Sequence, residues 1–302
     1  MNLRSFSLLT SLVLLLACGE GIVTVDESNY QEKIVIQGYL YPNKKVSGIR
    51  IMRNIPVNTN IFRNDLIIWD ADVKLTDLSD EDHPTYQLSF HPESLFYQYN
   101  GSDLRIDYGG MYRLDVAATI DNKPLSTNSI TTVPLKGFSI IDSLSSDSLL
   151  FNKKGSDGKL IKPALVFNRS EKTEFYAFSI IALNASPSSF IYNHPFAHNI
   201  NEDDVKENLD DFRFSHDSIF NTPETSGITV LTIEYYHTFF YGWYRVVAYA
   251  GDKNFKDYYL THANVMEMDG NLHEPKFHFA GDGIGVFGSA IADTFYFKIL
   301  TD

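Results

Sequence analysis

Short runs in which apolar and polar residues alternate follow one another along the first half of the chain. Three of these runs lie at residues 73–75, 86–90 and 112–118. Alternation with a period of two gives a β-strand one buried face and one wet face. Turn-forming Gly, Pro, Asn and Asp residues separate the runs, and no helical pattern lies between them. We therefore predict that residues 32–135 form an antiparallel β-sandwich of the immunoglobulin-like or transthyretin-like kind.

The second half of the chain is predicted to form another β-rich domain, over residues 136–302. Strand-like runs occur at 164–167, 175–183, 228–236, 244–250 and 295–300. Residues 253–266 instead carry apolar side chains every three or four positions, which predicts a helix with one apolar stripe, and Asp252 can cap its start. The acidic segment 202–217 predicts a short helix or a solvated loop. The predicted fold class is therefore mainly β, with one packed helix.

The amino terminus has the pattern of a secretory signal. Arg4 gives it a positive start, and residues 5–17 form an apolar run without a charge. This run is shorter than the about 20 apolar residues that a membrane-spanning helix needs, but its length suits a signal peptide. We therefore expect residues 1–17 to be removed by a signal peptidase.

The same run ends in the sequence LLAC, which resembles the lipobox of bacterial lipoproteins. Its Cys18 is the single cysteine of the chain, so it cannot form an internal disulfide and its thiol can take a diacylglycerol thioether. Two or three acyl chains anchor a protein stably. We expect Cys18 to be the lipid anchor and residues 18–31 to form a lipidated tether. Because Gly19 rather than Asp follows the cysteine, the outer membrane is the expected location, on either its periplasmic or its cell-surface face. An ordinary signal peptide with an incidental cysteine is the alternative.

The charge of the chain argues against nucleic acid as a partner. There are 25 Lys and Arg residues against 38 Asp and Glu residues, which gives a formal net charge of -13. Neutralising phosphates requires clustered Lys and Arg, and the sequence contains no such block. Hydrophobic residues make up 44% of the chain, which is enough to fill sizeable cores and argues against a disordered chain.

Residues 283–288 match the GxGxxG pattern of dinucleotide-binding loops. That pattern binds a dinucleotide where a helix follows it and an acidic residue lies about 20 positions later. Only 14 residues follow Gly288, so we expect no nucleotide cofactor. We interpret Asp282, Gly283, Gly285 and Gly288 as a structural glycine element, in which glycine permits a positive φ or a close backbone approach.

Two histidines, His194 and His198, have the i, i+4 spacing of helical zinc ligands. Their surroundings at residues 185–201 are rich in Pro, Ser and Asn, and no third ligand can be identified. We interpret them as exposed loop histidines and predict no metal site. The acidic segments, such as residues 79–82, lack the spacing of an EF-hand loop. The sequence contains no motif for nucleophilic catalysis, and we expect a protein that is not an enzyme.

The densest aromatic run of the chain, YYHTFFYGWY, lies at residues 235–244. Aromatic side chains are enriched at interface hot spots and at carbohydrate-stacking surfaces, but they also fill cores. Both interpretations stay open from the sequence. The candidate interface residues are Tyr235, Tyr236, Phe239, Phe240, Tyr241, Trp243 and Tyr244.

Several of these segments together resemble a family of uncharacterised outer-membrane lipoproteins whose genes often lie beside TonB-dependent, SusC-type transporters. They are the lipobox at Cys18, KIVIQGYLY at residues 33–41, IRIMRNIPV at 49–57, VKLTD at 73–77, TTVP at 131–134 and DGIGVFG at 282–288. The resemblance implies a non-catalytic accessory subunit whose partner is an outer-membrane β-barrel, either a TonB-dependent transporter or the machinery that assembles barrels. It supplies no catalytic residues. A surface lipoprotein that binds a glycan or a peptide is the alternative, and a hydrolase has the least support.

Overall fold

The computed structural model describes residues 30–56, 59, 63–262 and 275–301. The predicted signal peptide, Cys18 and most of the predicted tether lie outside the described residues, as does the end of the helix predicted over residues 253–266. Strands dominate the described residues, which confirms the mainly β fold class. None of the described helices is long and apolar enough to cross a membrane.

Six strands form a sheet that contains most of the predicted alternating runs. They are β3 (Asp72–Asp77), β4 (Thr85–His91), β5 (Phe96–Gln98), β6 (Met111–Ile120), β7 (Lys123–Thr132) and β15 (Ala280–Gly281). Their order in the sheet is β15-β7-β6-β3-β4-β5. Within this sheet, every pair of neighbouring strands is antiparallel.

A second sheet contains seven strands, which come from both halves of the chain. Its strands are β1 (Ile34–Leu40), β2 (Arg50–Arg53), β9 (Ser148–Leu150), β11 (Phe175–Ala182), β12 (Phe214–Ile219), β14 (Gly242–Gly251) and β16 (Gly283–Leu300). The order is β12-β11-β14-β16-β1-β2, and β9 pairs with the end of β16. The first part of β16 pairs with β1 in parallel, and the following part pairs with β14 in antiparallel fashion. The parallel β1–β16 and β9–β16 pairs are exceptions to the predicted antiparallel arrangement.

The remaining elements lie in the second half of the chain. Strands β8 (Ser139–Ile140), β10 (Ala164–Arg169) and β13 (Gly227–Thr232) form a three-stranded sheet in the order β13-β10-β8. The described α-helices are α1 (Glu202–Glu207), α2 (Leu209–Arg213) and α3 (Lys253–Thr261), and short 3-10 helices lie at Arg63–Leu66, Asp142–Leu144, Pro187–Ser189 and Tyr235–His237. The acidic segment 202–217 therefore contains two short helices and, contrary to expectation, the beginning of strand β12.

Two apolar cores fill the space between the sheets. One core lies between the six-stranded sheet and strands β1 and β2, and it includes the fully buried Ile36 and Leu114. The other core lies between the three-stranded sheet and the rest of the seven-stranded sheet, and it includes Phe167. Strand β16 serves both cores, because its Phe287 belongs to the first and its Phe297 to the second. Burial of these side chains is the main stabilising contribution, roughly 1.5–3 kcal/mol for each large residue.

Candidate functional site

The aromatic run at residues 235–244 is divided between the core and the surface. Tyr235, Phe240 and Tyr244 are buried in the second core. The Tyr244 hydroxyl accepts a hydrogen bond from the Phe240 N–H at 2.8 Å and donates one to the Phe240 carbonyl at 2.9 Å, as a buried phenol requires. A partner cannot reach these three side chains, so their prediction as interface residues is wrong.

The other four aromatic residues of the run differ in their exposure. Phe239 and Tyr241 are half-buried and pack against the second core. Tyr236 and Trp243 are 47% and 45% exposed. Tyr236 belongs to the short 3-10 helix, where its ring meets the ring of Phe196 at 6.1 Å. Trp243 lies near the start of strand β14, on the exposed face of that strand.

That surface is the outer face of the seven-stranded sheet, on which the strand register arranges side chains in rows. Trp243 pairs with Lys298, and Arg245 pairs with Tyr296. Side chains directly opposite one another on neighbouring strands lie about 4.5–5.5 Å apart at their Cβ atoms, so each row is a continuous strip. We call three of these rows the Trp243 face. It comprises Leu183, Trp243 and Lys298; Phe214, Ile181, Arg245 and Tyr296; and His216, Ser179, Val247 and Thr294.

The Trp243 face combines exposed apolar side chains with cations. Leu183, Trp243, Phe214 and Tyr296 are 38–49% exposed. The Lys298 Nζ lies 5.6 Å from the centre of the Trp243 ring, which is a cation–π contact. Neighbouring residues on one face of the sheet thus form an apolar surface that also carries positive charge.

Arginine adds to this positive charge. The Cζ of Arg213, at the end of α2, lies 5.1 Å from the centre of the Phe214 ring. Its Nη1 lies 4.0 Å from Asp210 Oδ1, while Arg245 is exposed between Trp243 and Tyr296 in the sheet register. None of the residues that make up the Trp243 face is an Asp or a Glu. This local excess of positive charge contrasts with the formal charge of -13 for the chain.

Helix α3 explains why only part of the sheet face is open. Asp252 caps this helix as expected, since its side chain accepts a hydrogen bond from the Phe255 N–H at 2.9 Å. The rings of Phe255 and Tyr259 pack on Phe175 of β11 at 5.5 and 5.4 Å. The helix thereby covers the end of the face that begins at Phe175. Its Tyr259 ring also reaches His216 in the third row of the Trp243 face at 6.0 Å, so the rows of Trp243 and Arg245 form the open part.

The glycine element belongs to strand β16 rather than to a ligand-binding loop. Gly285 has φ +103°, and a Cβ at this position would lie 2.2 Å from the Ile36 carbonyl oxygen. A Cβ on Gly283 would lie 2.2 Å from Thr127 Oγ1, and one on Gly288 would lie 3.0 Å from Asp252 Oδ1. The glycines therefore allow β1, β7 and α3 to approach the strand closely, and Asp282 continues this contact by donating its N–H to the Ser126 carbonyl.

A polar network joins the two cores beside Gly288. The Thr131 hydroxyl oxygen lies 2.6 Å from Asp252 Oδ2 and 2.8 Å from Ser289 Oγ. The Asn254 amide donates hydrogen bonds to the carbonyls of Ile130 and Phe287. Desolvation raises the pKa of Asp252 to about 6. Because each partner comes from β7, β16 or α3, this network holds the elements together.

His194 and His198 differ in their exposure to solvent. His194 is 2% exposed, and the prediction that it is an exposed loop residue is wrong. Its Nε2 donates to the Tyr235 carbonyl at 3.0 Å and its Nδ1 accepts from the Phe196 N–H at 3.1 Å. Burial lowers the pKa of His194 to about 4, so the ring is neutral. His198 is exposed, and the described residues contain no group of three or more potential metal ligands.

His237 and Asp217 form an acid–base pair that no local sequence pattern indicates. His237 Nε2 lies 3.5 Å from Asp217 Oδ2, and this imidazole holds the pKa of Asp217 below its usual range. The two residues are distant in the sequence, and only the packing of β12 against the 3-10 helix brings them together. His237 is 5% exposed, so a dissolved substrate has no access to its ring.

A cleft of about 550 Å³ lies where the two cores meet. Side chains of both charges line it, and one of its lysines, Lys256, is already paired with Glu174. The cleft therefore presents a mixed and partly neutralised surface, in contrast to the single sign of charge on the Trp243 face.

The chain matches a protein-family model over most of its length. The model of a family described as "Domain of unknown function (DUF4249)" matches residues 22–289. The matched region begins shortly after Cys18, spans both cores and ends within β16. A search of curated proteins found no match.

Proposed function

We propose that this chain, which belongs to the DUF4249 family, is a lipid-anchored interaction subunit of an outer-membrane protein complex. Its anchor is Cys18, and its partner is an outer-membrane β-barrel. The preferred partner is a TonB-dependent transporter of the SusC type, and the barrel-assembly machinery is the alternative. The subunit acts by binding and not by catalysis. The observation that carries the proposal is the Trp243 face, an open part of a sheet that α3 covers elsewhere.

The composition of this face supports a protein-binding role. Interface hot spots are enriched in Trp, Tyr and Arg, and their centres are depleted of Lys, Glu and Asp. Trp243, Tyr296 and Arg245 are neighbours on this face, and no carboxylate lies among its residues. Exposed contiguous apolar patches on a folded protein mark interaction sites.

The lipid anchor supports the same role in a different way. A chain fixed to the membrane by Cys18 shares a plane with any barrel in that membrane. Confinement raises the effective concentration of the two partners and strengthens a modest contact without adding any new interaction. A small docking surface is then sufficient for a stable complex.

The state of the acid and base groups favours binding over catalysis. Catalytic groups need shifted pKa values together with access to a substrate. The groups in question, Asp252, His194 and Asp217, each hydrogen-bond or contact the fold itself. Their shifted pKa values therefore follow from structural packing.

A binding site for a glycan or a peptide is the second candidate function. The exposed rings of Trp243 and Tyr296 favour it, because flat aromatic surfaces stack on sugar rings and contact peptide side chains. A thermal-shift screen with glycans and peptides tests this function, since a ligand at 100 times its Kd adds roughly 2.7 kcal/mol of stability.

Affinity isolation from detergent-solubilised membranes tests the main proposal. The tagged full-length chain is expected to bring down an outer-membrane barrel in stable proportion, and metabolic palmitate is expected to label it. The matched variant Cys18→Ser is expected to lose both the label and most of the barrel. Recovery of the wild-type chain alone under mild conditions would count against the proposal.

A further inference from the structure

We infer that the Trp243 face binds an acidic, solvent-exposed protein surface of the partner. This inference rests on the proposed function and adds the chemistry of the contact. The charge of the face and its apolar centre carry the inference.

Charge complementarity selects an acidic surface. The chain as a whole has a formal charge of -13, so most of its surface repels an acidic partner. Arg245 and Lys298 lie on the Trp243 face, and Arg213 lies at its edge, where Asp210 partly neutralises it. Like charges placed opposite each other weaken an interface, while opposite potentials steer association and fix the orientation of the partners. An acidic partner is therefore directed to this face and away from the rest of the chain.

The residues of the face favour a protein occupant over a lipid. Trp243, Tyr296 and Arg245 are neighbours in the strand register, and these residue types are enriched at protein interface hot spots. The occupant is accordingly a part of the partner that extends into solvent, such as a loop or a soluble domain.

The apolar centre supplies the contact that charge alone does not. Leu183 and Trp243 occupy the first row, and Ile181, which is 8% exposed, pairs with Arg245 in the second row. Truncating a central Trp of an interface commonly weakens binding by more than tenfold. We expect Trp243 to be the main apolar anchor and Arg245 and Lys298 to supply the salt-dependent part of the affinity.

The experiment measures the Kd between the full lipidated chain and the barrel recovered with it, both in mild detergent, at low and high salt. Two variants test the face: Trp243→Ala, and the double variant Arg245→Glu with Lys298→Glu. Matched controls lie on the other half of the molecule. Trp69→Ala removes the second tryptophan of the chain, which is 67% exposed, and Lys74→Glu reverses an exposed charge on β3.

We expect Trp243→Ala to raise the Kd at least tenfold. The double charge reversal is expected to raise it at least tenfold at low salt and to abolish its salt dependence, while the two controls change it less than threefold. Circular dichroism and Tm establish that each variant is folded. Equal binding by all variants would overturn this inference and leave the proposed complex intact, whereas absence of any complex with the wild-type chain would overturn both.

A further arm separates a protein occupant from other anionic occupants. Two probes are offered separately to the same variants. One is a vesicle that contains an anionic phospholipid, and the other is an acidic polysaccharide in solution. If either probe binds the wild-type chain and loses its binding in the charge-reversed variant, while the barrel binds both chains equally, the face serves a lipid or a glycan and the inference is wrong.

Discussion

At the scale of single residues, Asp252 is a helix cap whose carboxylate is only partly hydrated. Its pKa of about 6 lies above the ordinary value of 3.8. The folded state therefore binds more protons than the unfolded state between those values, and stability falls as pH rises through that window. The shift in pKa corresponds to about 3 kcal/mol of destabilisation at pH 8. Because Asp252 is half-buried and solvent screens part of this effect, we expect about 2 kcal/mol.

The variant Asp252→Asn tests this interpretation. Asparagine keeps an oxygen that accepts from the Phe255 N–H but cannot ionise. We expect it to be more stable than the wild type at pH 8 by about 2 kcal/mol, with a flatter profile between pH 4 and 6 in urea unfolding. Asp252→Ala, which also removes the cap, is expected to fall below Asp252→Asn by about 1 kcal/mol. A loss of stability in Asp252→Asn at pH 8 would contradict the assignment.

His194 changes the stability of the fold with pH in the opposite direction to Asp252. Its pKa of about 4 lies below the ordinary value of 6.5. The unfolded state binds the extra proton first, so stability is lost as pH falls from 6.5 towards 4, by up to about 3 kcal/mol. We expect His194→Gln to be less stable than the wild type at pH 7 but to lose less on acidification. An unchanged acid profile in this variant would refute the role of the buried imidazole.

At the scale of elements, close backbone approach decides where β16 can pair. Gly285 combines φ +103° with a carbonyl oxygen at 2.2 Å from the position of an added Cβ. Strained backbone and a backbone clash each cost of order 1–3 kcal/mol. We expect Gly285→Ala to destabilise the protein by at least about 3 kcal/mol in chemical denaturation.

A matched glycine separates the two causes. Gly48 has φ +78° and no heavy atom within 4 Å of an added Cβ, so Gly48→Ala carries backbone strain without a clash. We expect it to cost about 1 kcal/mol. Equal losses in the two variants would show that the approach of β1 to β16 does not depend on the glycine.

Sequence patterning predicted those elements whose buried face is apolar. The alternating runs at β3, β4 and β6 and the capped helix α3 follow from their own residues. Strand β7 was missed because its buried face carries Thr127, Ser129 and Thr131, which bear no apolar signal. The beginning of β16 was missed because its glycines also suit a turn.

The candidate site was predictable only in part, for a related reason. The aromatic run drew attention to Trp243, but it did not separate Trp243 from Tyr244, which points to the core. Phe214 and Tyr296 lie far from Trp243 in the sequence, and the register of four strands brings them to one face. Such a surface is a property of the sheet, and no local motif encodes it.

At the scale of the whole molecule, β16 couples the two cores through Phe287 and Phe297. We therefore expect the two halves to unfold in one cooperative transition. The two tryptophans report on different halves, so Trp69→Phe leaves a probe at Trp243 and Trp243→Phe leaves one at Trp69. Coincident urea midpoints from the two probes are expected, in agreement with circular dichroism. Two separate midpoints would show that the shared strand does not couple the cores.

The central claim is that the Trp243 face contacts a protein in the outer membrane. Photo-crosslinking in intact cells tests it most directly, with a photoreactive amino acid in place of Trp243 and, as the control, in place of Trp69. We predict a crosslink from position 243 to an outer-membrane protein, lost when Cys18 is changed to Ser, and no such product from position 69. A position-243 probe that reacts with no protein, or equal products from both positions, would contradict the account.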